Sequence, residues 1–209
     1  MVIKDVIALA KYSELAGVAA KNDIDAIVAF INLGMVEIYT RFPIKVEEAL
    51  IALEDDKVYY TMPDNFMYPL KAFGEVPETA DAMEVVQLSI NDEEDPLSIF
   101  FNDWKTVQIP EATAGAHISI IYVANPIRIT ALQAEDEITS LAIPDSLIDC
   151  LLSYVGYRAH LGVKSDASSE NNAHWKRFER SCKKAEELGV AFPSDSMTMP
   201  TRITDRGFV

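Results

Sequence analysis

The sequence has little of several things, and each shortage excludes a class of protein. It has two cysteines, Cys150 and Cys182, too few for a disulfide framework or a zinc cluster. Its eight glycines are scattered, and neither G-x-x-x-x-G-K nor G-x-G-x-x-G occurs, so no phosphate-cradling loop is present. Its three histidines, His117, His160 and His174, match no metal-ligand spacing. No run of about 18 apolar residues exists, so no membrane span is expected. Lys4, Asp5 and Lys11 interrupt the first apolar segment, which therefore lacks the core of a signal peptide. Basic residues are outnumbered 18 to 33 by acidic ones, a formal charge of −15. That disfavours a phosphate-gripping surface and a polybasic membrane contact.

What is present is a globular composition, 49% hydrophobic and 24% charged, over 209 residues. A chain of this length buries roughly 70% of its unfolded surface and needs no metal or disulfide staple. The acids are unevenly spread. Residues 1–171 carry 28 acidic and 11 basic side chains, and residues 172–209 carry 5 and 7.

Periodicity predicts helices at both ends. Residues 2–16 carry Val2, Val6 and Leu9 near one stripe, with Gly17 as a stop. Residues 23–41 repeat Ile24, Ile27, Val28, Ile31, Met35 and Ile38 at helical spacing, with Phe30 and Leu33 as a second apolar strip. Asn22 or Asp23 caps that helix, and Pro43 ends it. Gly34, inside it, reads as a tolerated glycine rather than a packing device. Residues 144–162 are apolar nearly all round, which predicts a central buried helix. Residues 170–188 have a narrow line of Trp175, Phe178, Cys182 and Ala185, and Gly189 suits the C-terminal cap.

Between these helices the pattern changes. Segments 46–53, 57–62, 66–73, 83–90, 99–101, 106–109 and 117–124 read as strands of an antiparallel unit of five to seven strands. Residues 75–83 read as loop and residues 91–96 as a solvated acidic loop. Residues 190–209 are rich in Pro, Ser and Thr and read as an extended tail. The chain is thus expected to be α+β. Two N-terminal helices (1–45) and two C-terminal helices (144–189) form a bundle, with a β-rich insertion at 46–143 and a tail at 190–209.

A search for chemistry yields no catalytic residue, cofactor-binding residue or metal ligand. Cys150 and His160 sit ten residues apart on one helix, about 15 Å along its axis, too far for a nucleophile–base pair. Both cysteines lie on apolar stripes, where a buried inert thiol is the default. The acidic loop lacks the alternating ligands and central glycine of a calcium loop. With 33 acids, a carboxylate pair for glycoside hydrolysis carries little weight. Trp175-Lys176-Arg177-Phe178 is more simply a buried helix line than a nucleic-acid patch.

The order of parts is informative. Tyr39-Thr40-Arg41-Phe42-Pro43 closes the second helix. Tyr60-Thr61-Met62-Pro63-Asp64-Asn65-Phe66 follows a strand pair, and Ile121-Tyr122-Val123-Ala124-Asn125-Pro126 ends the β region. Leu141-Ala142-Ile143-Pro144-Asp145 opens a helix running to Tyr154-Val155-Gly156-Tyr157-Arg158-Ala159, and His174-Trp175-Lys176-Arg177-Phe178 marks the last one. Across nearly its whole length the chain resembles the head-to-tail adaptors of tailed bacteriophages, also called connector, head completion or tail tubular protein A proteins.

The resemblance implies a structural, non-enzymatic virion protein of the neck, assembled in the host cytoplasm. It implies a homo-oligomeric ring, a dodecamer, below the portal. Its partners are then the portal protein, a tail or nozzle protein and further copies of itself. Genome DNA passes through without specific binding, and neither a cofactor nor a membrane is involved. The resemblance also implies that the C-terminal segment docks into the portal. Its anchors are Phe192, Met197, Met199, Ile203 and Phe208, with Arg202 and Arg206 adding charge-assisted contacts. The region 75–111 is where members differ most. A β-type binding module for a tail or glycan contact is the alternative, and a carboxylate hydrolase the more remote one.

Overall fold

The computed structural model describes residues 1–79, 82–110, 115–134, 136, 138–161 and 173–189. The fold is α+β. It contains two compact units, a helical one built from Met1–Ile44 with the described residues of 126–189, and a β unit of Lys45–Asn125.

In the helical unit, α1 (Ile3–Tyr12) buries Ile3, Val6, Ile7 and Ala10, the three-and-four spacing of one face. It stops earlier than the expected residue 16. Ser13 Oγ donates to the Leu9 carbonyl at 2.7 Å, the Leu15 N–H bonds back to Ala10 O at 2.9 Å, and Gly17 takes φ +85°. This wrap places Leu15 fully inside the core, which a continued helix would not do. A single 3₁₀ turn (Ala19–Asn22) leads to α2 (Ile24–Arg41), capped by Asp23 Oδ1 accepting from Ala26 N at 2.9 Å.

The glycine within α2 has a packing role after all. A Cβ at Gly34 would lie 2.6 Å from Leu151 Cδ1 and 3.2 Å from Tyr154 Cδ1. Gly34 therefore lets α2 lie close against α4 (Ile148–Leu161), and the reading of simple tolerance is corrected. α4 follows a 3₁₀ turn (Asp145–Leu147) and buries Ile148, every residue from Cys150 to Gly156, and Ala159. It is the central helix its all-round apolarity predicts. α5 (Ala173–Glu187) packs on α4 through Phe178, Cys182 and Ala185, and Gly189 follows at φ +65°.

Among the described residues from Pro126 to Ile143 there is little regular structure beyond the four-residue α3 (Ala131–Ala134). Hydrogen bonds fasten this segment along the first two helices. Asn32 Nδ2 donates to Ile129 O and Asn32 Oδ1 accepts from Ile129 N, both at 2.8 Å. The Ile3 amide donates to Thr139 O, the Leu141 amide to Met1 O, and Tyr39 Oη to Ala142 O at 2.6 Å.

The β unit holds two antiparallel sheets. One has four strands in the order β1 (Val46–Ala52), β7 (His117–Ala124), β3 (Phe66–Thr79), β4 (Ala82–Leu88). The other has three, in the order β2 (Tyr59–Thr61), β6 (Thr106–Gln108), β5 (Phe100–Phe101). A continuous core joins them through Tyr60, Met62, Phe66, Val107, Ile118, Ile120 and Tyr122. β7 is bonded on both edges, from Val46↔Val123 on one side to Gly74↔Ile118 on the other.

The expected loop at 75–83 is mostly strand. β3 runs on to Thr79 and pairs with β4 through Val76↔Glu84, Pro77↔Met83 and Thr79↔Ala82. Beyond Gly74, β3 has no β7 partner, so this stretch is a two-stranded hairpin. A free edge is where a strand tolerates proline, which is why Pro77 did not prevent the strand.

Candidate interaction sites

The family-like motifs can be located side chain by side chain, and they meet one another. In the β unit, Asn65 Nδ2 donates to Glu47 Oε2 at 2.6 Å, and the Tyr122 hydroxyl lies 3.0 Å from both Glu47 Oε2 and Asn65 Oδ1. Asn125 Nδ2 donates to Phe66 O at 2.8 Å, and the Phe66 and Tyr122 rings sit 5.4 Å apart. The Pro-Asp-Asn-Phe turn and the Ile-Tyr strand end are thus two halves of one corner. Lys45 Nζ adds an ion pair to Glu47 Oε1 at 2.6 Å. The Lys45 hydrogen bond, followed by that of Asn65, lowers the Glu47 pKa to about 2.

In the helical unit, Arg41 at the end of α2 makes a bidentate pair with Glu179 of α5 at 3.0 and 2.7 Å. Its Nε donates to Glu37 at 3.0 Å. The guanidinium carbon lies 4.7 Å from the Phe178 ring centroid and 5.7 Å from that of Trp175. The hydrogen bond from Arg41 holds the Glu179 carboxyl below its usual range, and the bond to Glu179 raises the Arg41 pKa. Tyr154, Tyr157, Trp175 and Phe178 extend this contact as a chain of rings with neighbouring centroids 4.9 to 5.8 Å apart.

The histidines have structural partners. His117 donates its amide to Glu75 Oε2 at 2.7 Å, and its Nδ1 lies 2.9 Å from the same oxygen. His174 Nδ1 contacts Glu14 Oε2 at 2.7 Å and stacks on His160 with centroids 4.6 Å apart. The His160 Nε2–H donates to Glu14 O at 3.1 Å. Arg177 Nη1 binds Glu14 Oε1 at 2.6 Å, so the buried Glu14 carboxylate has a cationic partner. A Cβ at Gly156 would meet His174 Nδ1 at 2.6 Å, so that glycine makes room for the cluster. His160 therefore faces Glu14 and His174, not Cys150. Among the described residues no group of three or more His, Cys, Asp or Glu is placed to hold a metal ion.

The acidic loop is shaped by its own side chains. Asp92 Oδ1 accepts from Glu94 N, Asp95 Oδ1 from Leu97 N, and Asn91 Oδ1 from Phe101 N. Ser89 Oγ donates to Asp95 Oδ2. These bonds commit one oxygen each of Asn91 and Asp92 and both of Asp95 to backbone amides and a hydroxyl.

Apolar side chains left on the surface are the features that suit contact with other molecules. The second strip predicted on α2, Phe30 and Leu33, is outward only in part: Phe30 is half-buried, and the exposed face runs through Leu33 and Val36. Leu33 and Val36 are each 42% exposed, and Ala29 and Thr40 continue the same face. Leu9 and Tyr12 lie exposed on α1, and Leu132 on α3. The expected docking residues Phe192, Met197, Met199, Arg202, Ile203, Arg206 and Phe208 lie outside the described residues.

These features define a class: an α+β protein whose recognisable motifs are joints of the framework, with exposed apolar strips on its helices. The family model described as SU10 adaptor protein matches residues 4–200, and the chain belongs to that family of phage adaptors. A search among curated proteins finds no match. A phage adaptor is a virion component. Among the described residues no helix is long and apolar enough to cross a membrane.

Proposed function

We propose that the chain is the head-to-tail adaptor of a virion. It forms a homo-oligomeric ring, a dodecamer, in the neck below the portal, extends the DNA channel and links the head to a tail or nozzle protein. The observation that carries this reading is the adaptor-family match over residues 4–200, which spans the helical and the β units alike. The exposed Leu33–Val36 strip of α2 supports contacts between copies, because an apolar strip gains stability when a neighbour covers it. The role is structural, with no chemical step, and assembly takes place in the host cytoplasm.

In this reading the tail, residues 190–209, docks into the portal. Phe192, Met197, Met199, Ile203 and Phe208 fill apolar sites there, and Arg202 and Arg206 meet acidic groups. The surplus of acids over residues 1–171 suits a channel wall that repels DNA phosphates, so that the genome slides rather than sticks. The test is co-assembly. Purified chain mixed with portal rings is expected to give a stable complex by native mass spectrometry, and deletion of residues 190–209 is expected to abolish it while the subunit stays folded. A truncated chain that still joins portal rings normally overturns the docking role, and one that fails to fold places the tail in the core.

A further inference from the structure

The two cysteines of the chain, each expected to be a buried inert thiol, face each other. Cys150 lies near the start of α4 and Cys182 near the end of α5, and each is 1% exposed. Asp149 of α4 reaches Arg177 and Ser181 of α5, whereas His160, at the other end of α4, meets His174. The helices therefore run antiparallel, which brings positions 150 and 182 level. Tyr154 and Phe178, each one helical turn from Cys150 and Cys182 on the same faces, have ring centroids 5.4 Å apart, so the two thiols face each other. Filling an apolar stripe requires neither a second thiol nor one aimed at the first.

We propose that Cys150 and Cys182 are a two-electron redox pair, which a small peroxide converts to an intrachain disulfide that ties α5 to α4. The environment makes the two sulfurs unequal. Interaction with the Cys182 thiol lowers the Cys150 pKa, whereas interaction with Cys150 and burial push that of Cys182 up. Cys150, in the first turn of α4 where the helix dipole favours a thiolate, is the attacking sulfur. Its thiolate takes one peroxide oxygen to become a sulfenic acid, releasing hydroxide. The Cys182 sulfur then displaces the sulfenic hydroxyl, and its thiol proton leaves with that group as water. In sum, two thiols and one hydrogen peroxide give one disulfide and two waters. The chemistry does not rest on the ring reading. Its timing follows from the virion role, since thiols stay reduced inside the host cell and meet oxidants outside it. The bond would then fix α5, the last described helix before residues 190–209, after the particle leaves.

The experiment uses the full chain, reduced, desalted and exposed at neutral pH to a few-fold excess of hydrogen peroxide. Excess oxidant is removed, and the chain is denatured in N-ethylmaleimide. Titratable thiols are expected to fall from two per chain to nearly none, with a proteolytic peptide joining residues 150 and 182 in monomeric protein. The melting temperature of the helical unit is expected to rise by on the order of 5–10 °C and to return on adding dithiothreitol. Cys182→Ser is expected to stop at a dimedone-reactive sulfenic acid on Cys150, without the thermal shift. Two thiols that persist, thiols consumed as chain-to-chain disulfides or sulfinic acids, or the same thermal shift in Cys182→Ser would overturn the proposal.

Discussion

Arg41, the last residue of α2, grips Glu179 in the middle of α5 through two N–H···O bonds of 3.0 and 2.7 Å, with its guanidinium beside the Phe178 ring. One side chain thereby holds two helices that are 138 positions apart in sequence. Both partners are partly exposed, so the pair is worth less than a fully desolvated one. Arg41→Ala is expected to destabilise the helical unit by about 1–2 kcal/mol, through lost ring contact as well as lost charge. Arg41→Lys is expected to recover little of this, because an ammonium cannot make the bidentate contact. Urea unfolding of the three proteins checks both statements.

The β unit carries a pH dependence of its own. The Glu47 pKa is lowered from 4.5 to about 2 by Lys45, Asn65 and Tyr122. A depressed carboxylate contributes stability that is complete above its unfolded pKa and lost as pH falls through the folded one. Stability linked to Glu47 is therefore expected to decline between pH 4.5 and about 2. Glu47→Gln is expected to be less stable at neutral pH and to show a shallower acid decline. Equal acid slopes for both proteins would show that Glu47 does not anchor this corner.

Gly34 tests the close approach of α2 and α4. Replacing an interior helix glycine normally gains up to about 1 kcal/mol. Here the added atoms enter the space of Leu151 and Tyr154, both buried. Gly34→Val is expected to cost about 2–3 kcal/mol by overpacking. A neutral or stabilising result in thermal unfolding would refute the close contact.

How much of this was legible follows from the kind of signal each part leaves. The buried faces of α2 and α5 show as periodic apolar residues, because one face of each packs on α4, and α4 shows as all-round apolarity because it is covered from several sides. The continuation of β3 over residues 75–79 left no such signal: its proline and acids read as loop, and it is strand because it bonds to β4, whose segment 83–90 did read as a strand. The wrap at Ser13–Gly17 was missed because its cause is the tertiary demand to bury Leu15. The segment from Pro126 to Ile143 has no period, since its bonds are single side-chain and backbone contacts such as Asn32 to Ile129. The Cys150–Cys182 pairing depends on which stripes face each other. The one available hint was position, early in one helix and late in the next, which an antiparallel pair brings level. The docking residues of the tail were named from composition and resemblance, and they lie outside the described residues.

The exposed strip of α2 gives an assembly prediction. Leu33→Asp with Val36→Asp is expected to leave the melting temperature of the isolated subunit within a few degrees of the parent, because both side chains face outward. The same variant is expected to lose ring formation, read by native mass spectrometry in the presence of portal. Rings that form normally would show that this strip is not the contact between copies.

The most direct measurement is an asymmetric cryo-electron microscopy reconstruction of the neck of a virion that contains this chain. The account predicts copies of its helical and β units in a closed ring immediately below the portal, around the DNA channel, with residues 190–209 entering the portal. A neck without this chain, or the chain found as isolated subunits elsewhere on the particle, would contradict it.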